Sequence, residues 1–171
     1  GEVDMKKTIS FFLFLSVLFL APALHALQAG EVPAREKPAI YDPAADVKAL
    51  IAAAMADAAA GQKNILLMFG GNWCPWCHFL HELFDSDRAI RDRLQKSFIL
   101  IMVDVGEKAG QPLNTDLLEL YRVKGMGYPS LAVLDAKGKL LAAQSSGVLE
   151  KGRGHDPKKV LAFLDIHAPG E

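Results

Sequence analysis

The chain has 171 residues, 51% of them hydrophobic and 23% charged, with a formal net charge of −1. These values suit one globular domain with a buried core, and so small a charge gives no basis for electrostatic capture by nucleic acid or an anionic membrane. Only two cysteines are present, Cys74 and Cys77, so whatever thiol chemistry the chain performs is confined to one pair.

Met5-Lys6-Lys7 precedes a stretch, Thr8 to Gly30, without Lys, Arg, Asp or Glu, and Ile9 to Ala21 within it is almost wholly apolar. This pattern reads as a secretory signal peptide, cut after Ala26 or, as second choice, after Ala23. An uncleaved membrane anchor is the alternative, but the dense apolar run falls short of the ~20 residues needed to span a bilayer. The lack of a nearby cysteine argues against a lipid-modified N-terminus. Gly1 to Asp4 reads as an upstream extension. Cleavage at Ala26 removes two basic and two acidic side chains, which leaves the net charge at −1.

Glu31 to Ile40, with Pro33 and Pro38, reads as an extended linker. A first helix is expected from Asp42 as N-cap and Pro43 as first helical residue, through Val47, Leu50, Ile51 and Met55 to Gly61. The apolar run Ile65 to Phe69 then predicts a buried strand. Gly70-Gly71-Asn72 turns the chain into Trp73-Cys74-Pro75-Trp76-Cys77 and a second helix.

A first thiol at a helix N-terminus faces unpaired N–H groups and the positive end of the dipole, which stabilise its thiolate. The second thiol, three residues on, can displace whatever the first captures, so C-x-x-C between strand and helix points to disulfide exchange. A structural staple is the poorer explanation, because so short a loop removes little chain entropy. Steps of about 100° place Trp76, Phe79, Leu80, Leu83 and Phe84 in one stripe. Cys74, His78, His81 and Asp85 fall opposite, with Cys77 at the border. An exposed first thiol and a half-covered second one are expected. His78 and His81 are candidates for tuning Cys74, a protonated imidazole one turn away favouring the thiolate, or are plain solvated residues.

Asp85-Ser86-Asp87 opens a further amphipathic segment through Ile90 and Leu94, and Phe98 to Val103 predicts the next buried strand. Asp104 to Pro112 reads as a loop in which Asp104 and Glu107 face solvent. Asn114 or Thr115 caps a helix carrying Leu117, Leu118, Leu120 and Tyr121. After Gly125-Met126-Gly127-Tyr128-Pro129, strands Leu131 to Leu134 and Leu140 to Gln144 flank the hairpin turn Asp135 to Gly138. Gly147 to Asp156 reads as a surface loop, and Pro157 opens a last helix through Val160, Leu161, Phe163, Leu164 and Ile166.

From about Asp42 to His167 this order of elements, with Trp73-Cys74-Pro75-Trp76-Cys77 and Gly127-Tyr128-Pro129-Ser130, resembles the thioredoxin superfamily. It is most similar to exported bacterial thioredoxin-like thiol-disulfide oxidoreductases and disulfide isomerases. The resemblance implies an α/β fold with a mixed central sheet, helices on both faces, and a C-terminal antiparallel hairpin plus helix. It implies Cys74 as attacking and Cys77 as resolving cysteine, Trp73 as a wall of the substrate surface, and Pro129 as the family's cis-proline. The Tyr128 backbone would pair with an extended substrate.

The expected organisation is extension and signal peptide over 1–26, linker over 27–41 and thioredoxin-like domain over 42–171. The expected activity is thiol-disulfide exchange by a periplasmic or otherwise exported monomer, without cofactor or metal. Its partners would be disulfide or dithiol proteins and a redox-partner protein, with no stable membrane insertion after cleavage. Reductase or isomerase is preferred over oxidase. Thioredoxin's buried Asp, six residues before the first cysteine, is Met68 here, so proton handling at Cys77 must differ.

Two other readings use the same residues. Cys74-x-x-Cys77-His78 is also the attachment motif of c-type haem, although such cytochromes are helical and this motif follows a strand. Cys74, Cys77, His78 and His81 have metal-like spacing, yet residues 74 and 81 stand ~10 Å apart along one helix, too far to share a tetrahedral zinc. A non-catalytic binding module of the same fold is the third alternative.

Overall fold

The computed structural model describes residues 38–106, 110 and 112–170. The signal segment, most of the linker and Glu107 lie outside the described residues. Two continuous apolar runs make the middle of the sheet. β1 (Asn64–Gly70) and β3 (Ser130–Leu134) are buried at every position, because each has a strand on either side and helices above and below. β2 (Phe98–Asp104) and β4 (Leu140–Ser145) form the edges and are only partly buried. The order is β2-β1-β3-β4, with β2 parallel to β1 and β3 antiparallel to both β1 and β4.

Period-two alternation divides β1 between two cores. Ile65, Leu67 and Phe69 pack with Val47, Ile51 and Ala58 of α1 (Val47–Gly61) and with Leu117 of α4 (Thr115–Leu120). Leu66 and Met68 face Leu80 and Phe84 of α2 (Pro75–Ser86), Ile90 and Leu94 of α3 (Arg88–Ser97), and Val160 and Leu164 of α5 (Pro157–His167). Each such side chain contributes about 1.5–3 kcal/mol when fully buried, so a one-residue register slip would be prohibitive. The fold is the thioredoxin-like mixed sheet that the sequence predicts, with helices on both faces. The β3–β4 turn is as expected: Asp135 Oδ1 accepts from the N–H groups of Lys137 and Lys139, and Gly138 adopts φ 78°.

Several boundaries differ from expectation, each for a local reason. α1 begins at Val47, with Asp46 as N-cap accepting from Ala49 N–H. Asp42 instead bonds Ala44 N–H two residues on, closing a turn through Pro43 that cannot continue as helix. Asp104 is the buried last residue of β2, not a loop solvator, because its carboxylate accepts from Gly106 N–H at 2.7 Å. Residues 147–156 are not a plain loop. They hold most of a 3-10 turn (Ser146–Leu149) and a small hairpin, β5 (Glu150–Lys151) with β6 (Gly154–His155). Two-residue strands carry no readable periodicity. Ile166 lies on the solvent side of α5 and is exposed.

Candidate active site

The ends of three strands and one helix converge on the cysteine pair. Register pairs Gly70 with Asp104 and Phe69 with Ser130, so the C-terminal ends of β1 and β2 meet the start of β3. The chain leaves β1 at Gly70, turns with Cys74 N–H donating to Gly71 O at 3.0 Å, and enters α2 with Cys74 as N-cap and Pro75 as first helical residue. Proline suits that position because its missing N–H would have had no helical partner.

Cys74 and Cys77 are joined as a disulfide with Cα atoms 5.3 Å apart. The Cys77 backbone N–H donates to Cys74 Sγ at 3.1 Å. In the dithiol form the same N–H, with the helix dipole behind it, would favour the Cys74 thiolate. The expected exposure of the pair is corrected: Cys74 is 3% exposed and Cys77 fully buried. Cys74 caps the helix and folds back onto its first turn, so the 100° face geometry does not apply to it. The buried face of α2 centres on Cys77, Leu80 and Phe84, while Phe79, expected in the core, is exposed.

Trp73 and Tyr128 form the outer rim. Their rings meet edge to face at 5.7 Å, and Trp73 Nε1 donates to Gly106 O. The Tyr128–Pro129 peptide is cis, Pro129 is buried, and Ser146 N–H donates to Pro129 O. Ser145 Oγ donates to Met126 O, which ties the preceding glycine-rich loop to the end of β4.

The two histidines engage other partners. His78 Nε2 lies 2.8 Å from Asn72 O, and His81 Nδ1 is 3.2 Å from Asp85 Oδ2 one turn along. Trp76 sits at the rim of the α2-side core, edge to face with His155 of β6 at 5.7 Å. Neither ring nitrogen of the buried His155 has a hydrogen-bond partner among the described residues, and burial pushes its pKa down.

Three residues at the site escape sequence reasoning. Asn72 Oδ1 accepts from the N–H groups of Ile40 and Tyr41, and its Nδ2 donates to Tyr41 O, so one side chain clamps the incoming segment beside the cysteine turn. Tyr41, placed in the linker by its neighbours, is 3% exposed and belongs to the same core cluster as Cys77 and Met68. Burial, and then the nearby Asp104 carboxylate, push its phenol well above the ordinary range. Asp104 is the third; an acidic residue ending an apolar strand run was the one available signal.

The family model of a thioredoxin-like domain matches residues 51–153. Among solved structures, the chain is similar to a disulphide isomerase from Xylella fastidiosa Temecula1, with TM-score 0.65 and 25% identity over 75% of this chain and 96% of that one. The oxidised C-terminal domain of DsbD from Neisseria meningitidis gives TM-score 0.51 and 19% identity over 72% and 97%. A thioredoxin from Thermus thermophilus gives 0.50 and 21% over 67% and 81%. These last two support the fold alone. A comparison with curated protein sequences finds no match.

Proposed function

The chain belongs to the thioredoxin-like domain family, and from that premise we propose that it is a thiol-disulfide oxidoreductase in which Cys74 captures and Cys77 resolves. The observation that carries this reading is the disulfide at the start of α2, with Cys74 Sγ accepting from Cys77 N–H. A thiolate at that position attacks a substrate disulfide, forming a Cys74 mixed disulfide and releasing one substrate thiolate. The Cys77 thiol then attacks Cys74 Sγ, closing the intramolecular disulfide while the second substrate sulfur leaves with the electron pair and takes up the proton. Trp73, Tyr128 and Pro129 form the wall against which an extended substrate strand lies.

Reduction of protein disulfides is the preferred direction, with isomerisation second. The described residues between Cys77 and Pro129 are taken up by the rest of α2, α3, β2 and α4, with no inserted helical domain among them. Similarity to the Xylella fastidiosa disulphide isomerase supports the second role. The charge-free apolar segment after Lys7 supports export, and no helix among the described residues is long and apolar enough to cross a membrane. The protein acts as a monomer on disulfide or dithiol proteins and is recycled by a redox-partner protein. His78, whose Nε2 meets Asn72 O in the cysteine turn, and His81, paired with Asp85 along α2, are the candidates for tuning Cys74.

Insulin reduction tests the assignment. The wild type should precipitate insulin B chain in the presence of a thiol reductant, and Cys74→Ser should fall to background. A Cys74→Ser variant as active as wild type would end the reading. Equilibration with glutathione fixes direction: a potential near about −270 mV marks a reductant and one near about −120 mV an oxidant.

A further inference from the structure

Gly70 leaves a space that two groups share. A Cβ built there would lie less than 3.0 Å from both Cys77 Sγ and the Tyr41 hydroxyl, so the sulfur and the phenol oxygen are neighbours across the missing side chain. The Tyr41 hydroxyl is buried and has no hydrogen-bond partner among the described residues. A buried hydroxyl left unbonded costs roughly 1–3 kcal/mol, so a chain that holds one beside a redox-active sulfur requires an explanation. Asn72 holds it there through three hydrogen bonds to the backbone of Ile40 and Tyr41.

The form in which the hydroxyl has no partner among the described residues is the oxidised one. A disulfide sulfur is a poor acceptor, whereas a thiolate accepts a charge-assisted hydrogen bond. We propose that the Tyr41 hydroxyl is the hydrogen-bond donor for Cys77 in the reduced pair, released each time the disulfide closes. This inference rests on the exchange reading of the same site.

Cys77 Sγ and the Tyr41 phenol border this space, Asp104 at the end of β2 acts on the phenol, and Cys74 and the apolar Met68 belong to the same buried cluster. Burial and Asp104 both keep the phenol protonated, so it stays a donor through the working pH range. When Cys77 attacks Cys74 Sγ, the Cys74–substrate bond breaks and the electron pair leaves with the substrate sulfur. That sulfur takes the proton Cys77 has lost. The Tyr41 proton stays on its oxygen throughout; only its hydrogen bond is broken and remade. Tyr41 thereby serves the resolving thiol where Met68 can offer no carboxylate.

Tyr41→Phe removes the hydroxyl and keeps the ring. Equilibration of the full chain with glutathione should shift toward the disulfide by about tenfold, or about 30 mV toward more reducing potential. In a Cys74→Ser background, the thiolate absorbance of Cys77 should titrate at higher pH once Tyr41 is Phe. The oxidised Tyr41→Phe protein should melt no lower than wild type, while its reduced form should melt lower. Asn72→Ala, which frees the segment carrying Tyr41, should shift the equilibrium in the same direction. An unchanged equilibrium and an unchanged Cys77 titration in Tyr41→Phe would overturn the proposal, as would equal destabilisation of both redox states. Glutathione reads the cysteine pair whether or not insulin is reduced, so failure of this inference is distinguishable from failure of the exchange reading.

Discussion

Gly70 shows how one residue can set the geometry of the whole site. Any side chain there would collide with Cys77 Sγ and with the Tyr41 phenol, so glycine ends β1 because two other groups occupy its space. His155 is a second residue whose surroundings decide its chemistry. Its ring is buried against Trp76 with neither nitrogen bonded among the described residues, and burial holds its pKa below the ordinary 6.5. The unfolded chain therefore takes up a proton near pH 6.5 that the folded protein refuses. Since the unfolded state binds more protons below that pH, stability falls as the pH drops from about 6.5 through the folded pKa, and the loss is complete below it. His167, packed against Phe163, shifts in the same direction and adds to the effect. Urea unfolding of the wild type between pH 7.5 and 5 should show this decline, and His155→Phe should flatten part of it. An identical slope in the variant would mean that His155 is not the group responsible.

At the scale of elements, helix caps and strand runs carry most of the specification. Asp87 ends α2 and begins α3, its carboxylate accepting from Ile90 N–H at 3.0 Å, and α3 brings Ile90 and Leu94 into the core between α2 and α5. Asp87→Ala should lower stability by about 1 kcal/mol, with Asp87→Ser recovering most of it, as measured by denaturant midpoint. No difference between the two variants would show that the cap hydrogen bond contributes nothing. These features were legible because each is local: Asp87 lies three residues before its partner, and Ile65 to Phe69 is apolar without interruption. Local rules also mislead where two solutions compete. Asp42-Pro43 reads as the helix start, and only the hydrogen bonds show that it closes a turn while Asp46 caps the helix. Asn114 precedes α4 as expected but makes no side-chain cap, because its amide donates to Asp104 O across the site.

For the molecule as a whole, the fold, the cysteine pair and the neighbours Trp73, Tyr128 and Pro129 were legible in the sequence, whereas the buried Tyr41 and Asp104 were not. Tyr41 reaches the site across 31 positions through Asn72, and Asp104 is buried by a turn that only the folded backbone defines. Contacts of that range leave no periodic trace. They also explain why Cys74 is covered: the segment at Tyr41, the turn at Asn72 and the rim at Trp73 and Tyr128 close around the cysteines from separate parts of the chain. The division of labour between the two sulfurs is best tested by trapping. Cys77→Ala retains the capturing thiol and loses the resolving one, so in the native host it should accumulate disulfide-linked adducts with substrate proteins, visible on non-reducing gels and lost on reduction. Cys74→Ala should accumulate almost none. Equal trapping by both variants, or none by Cys77→Ala, would contradict the roles assigned to Cys74 and Cys77.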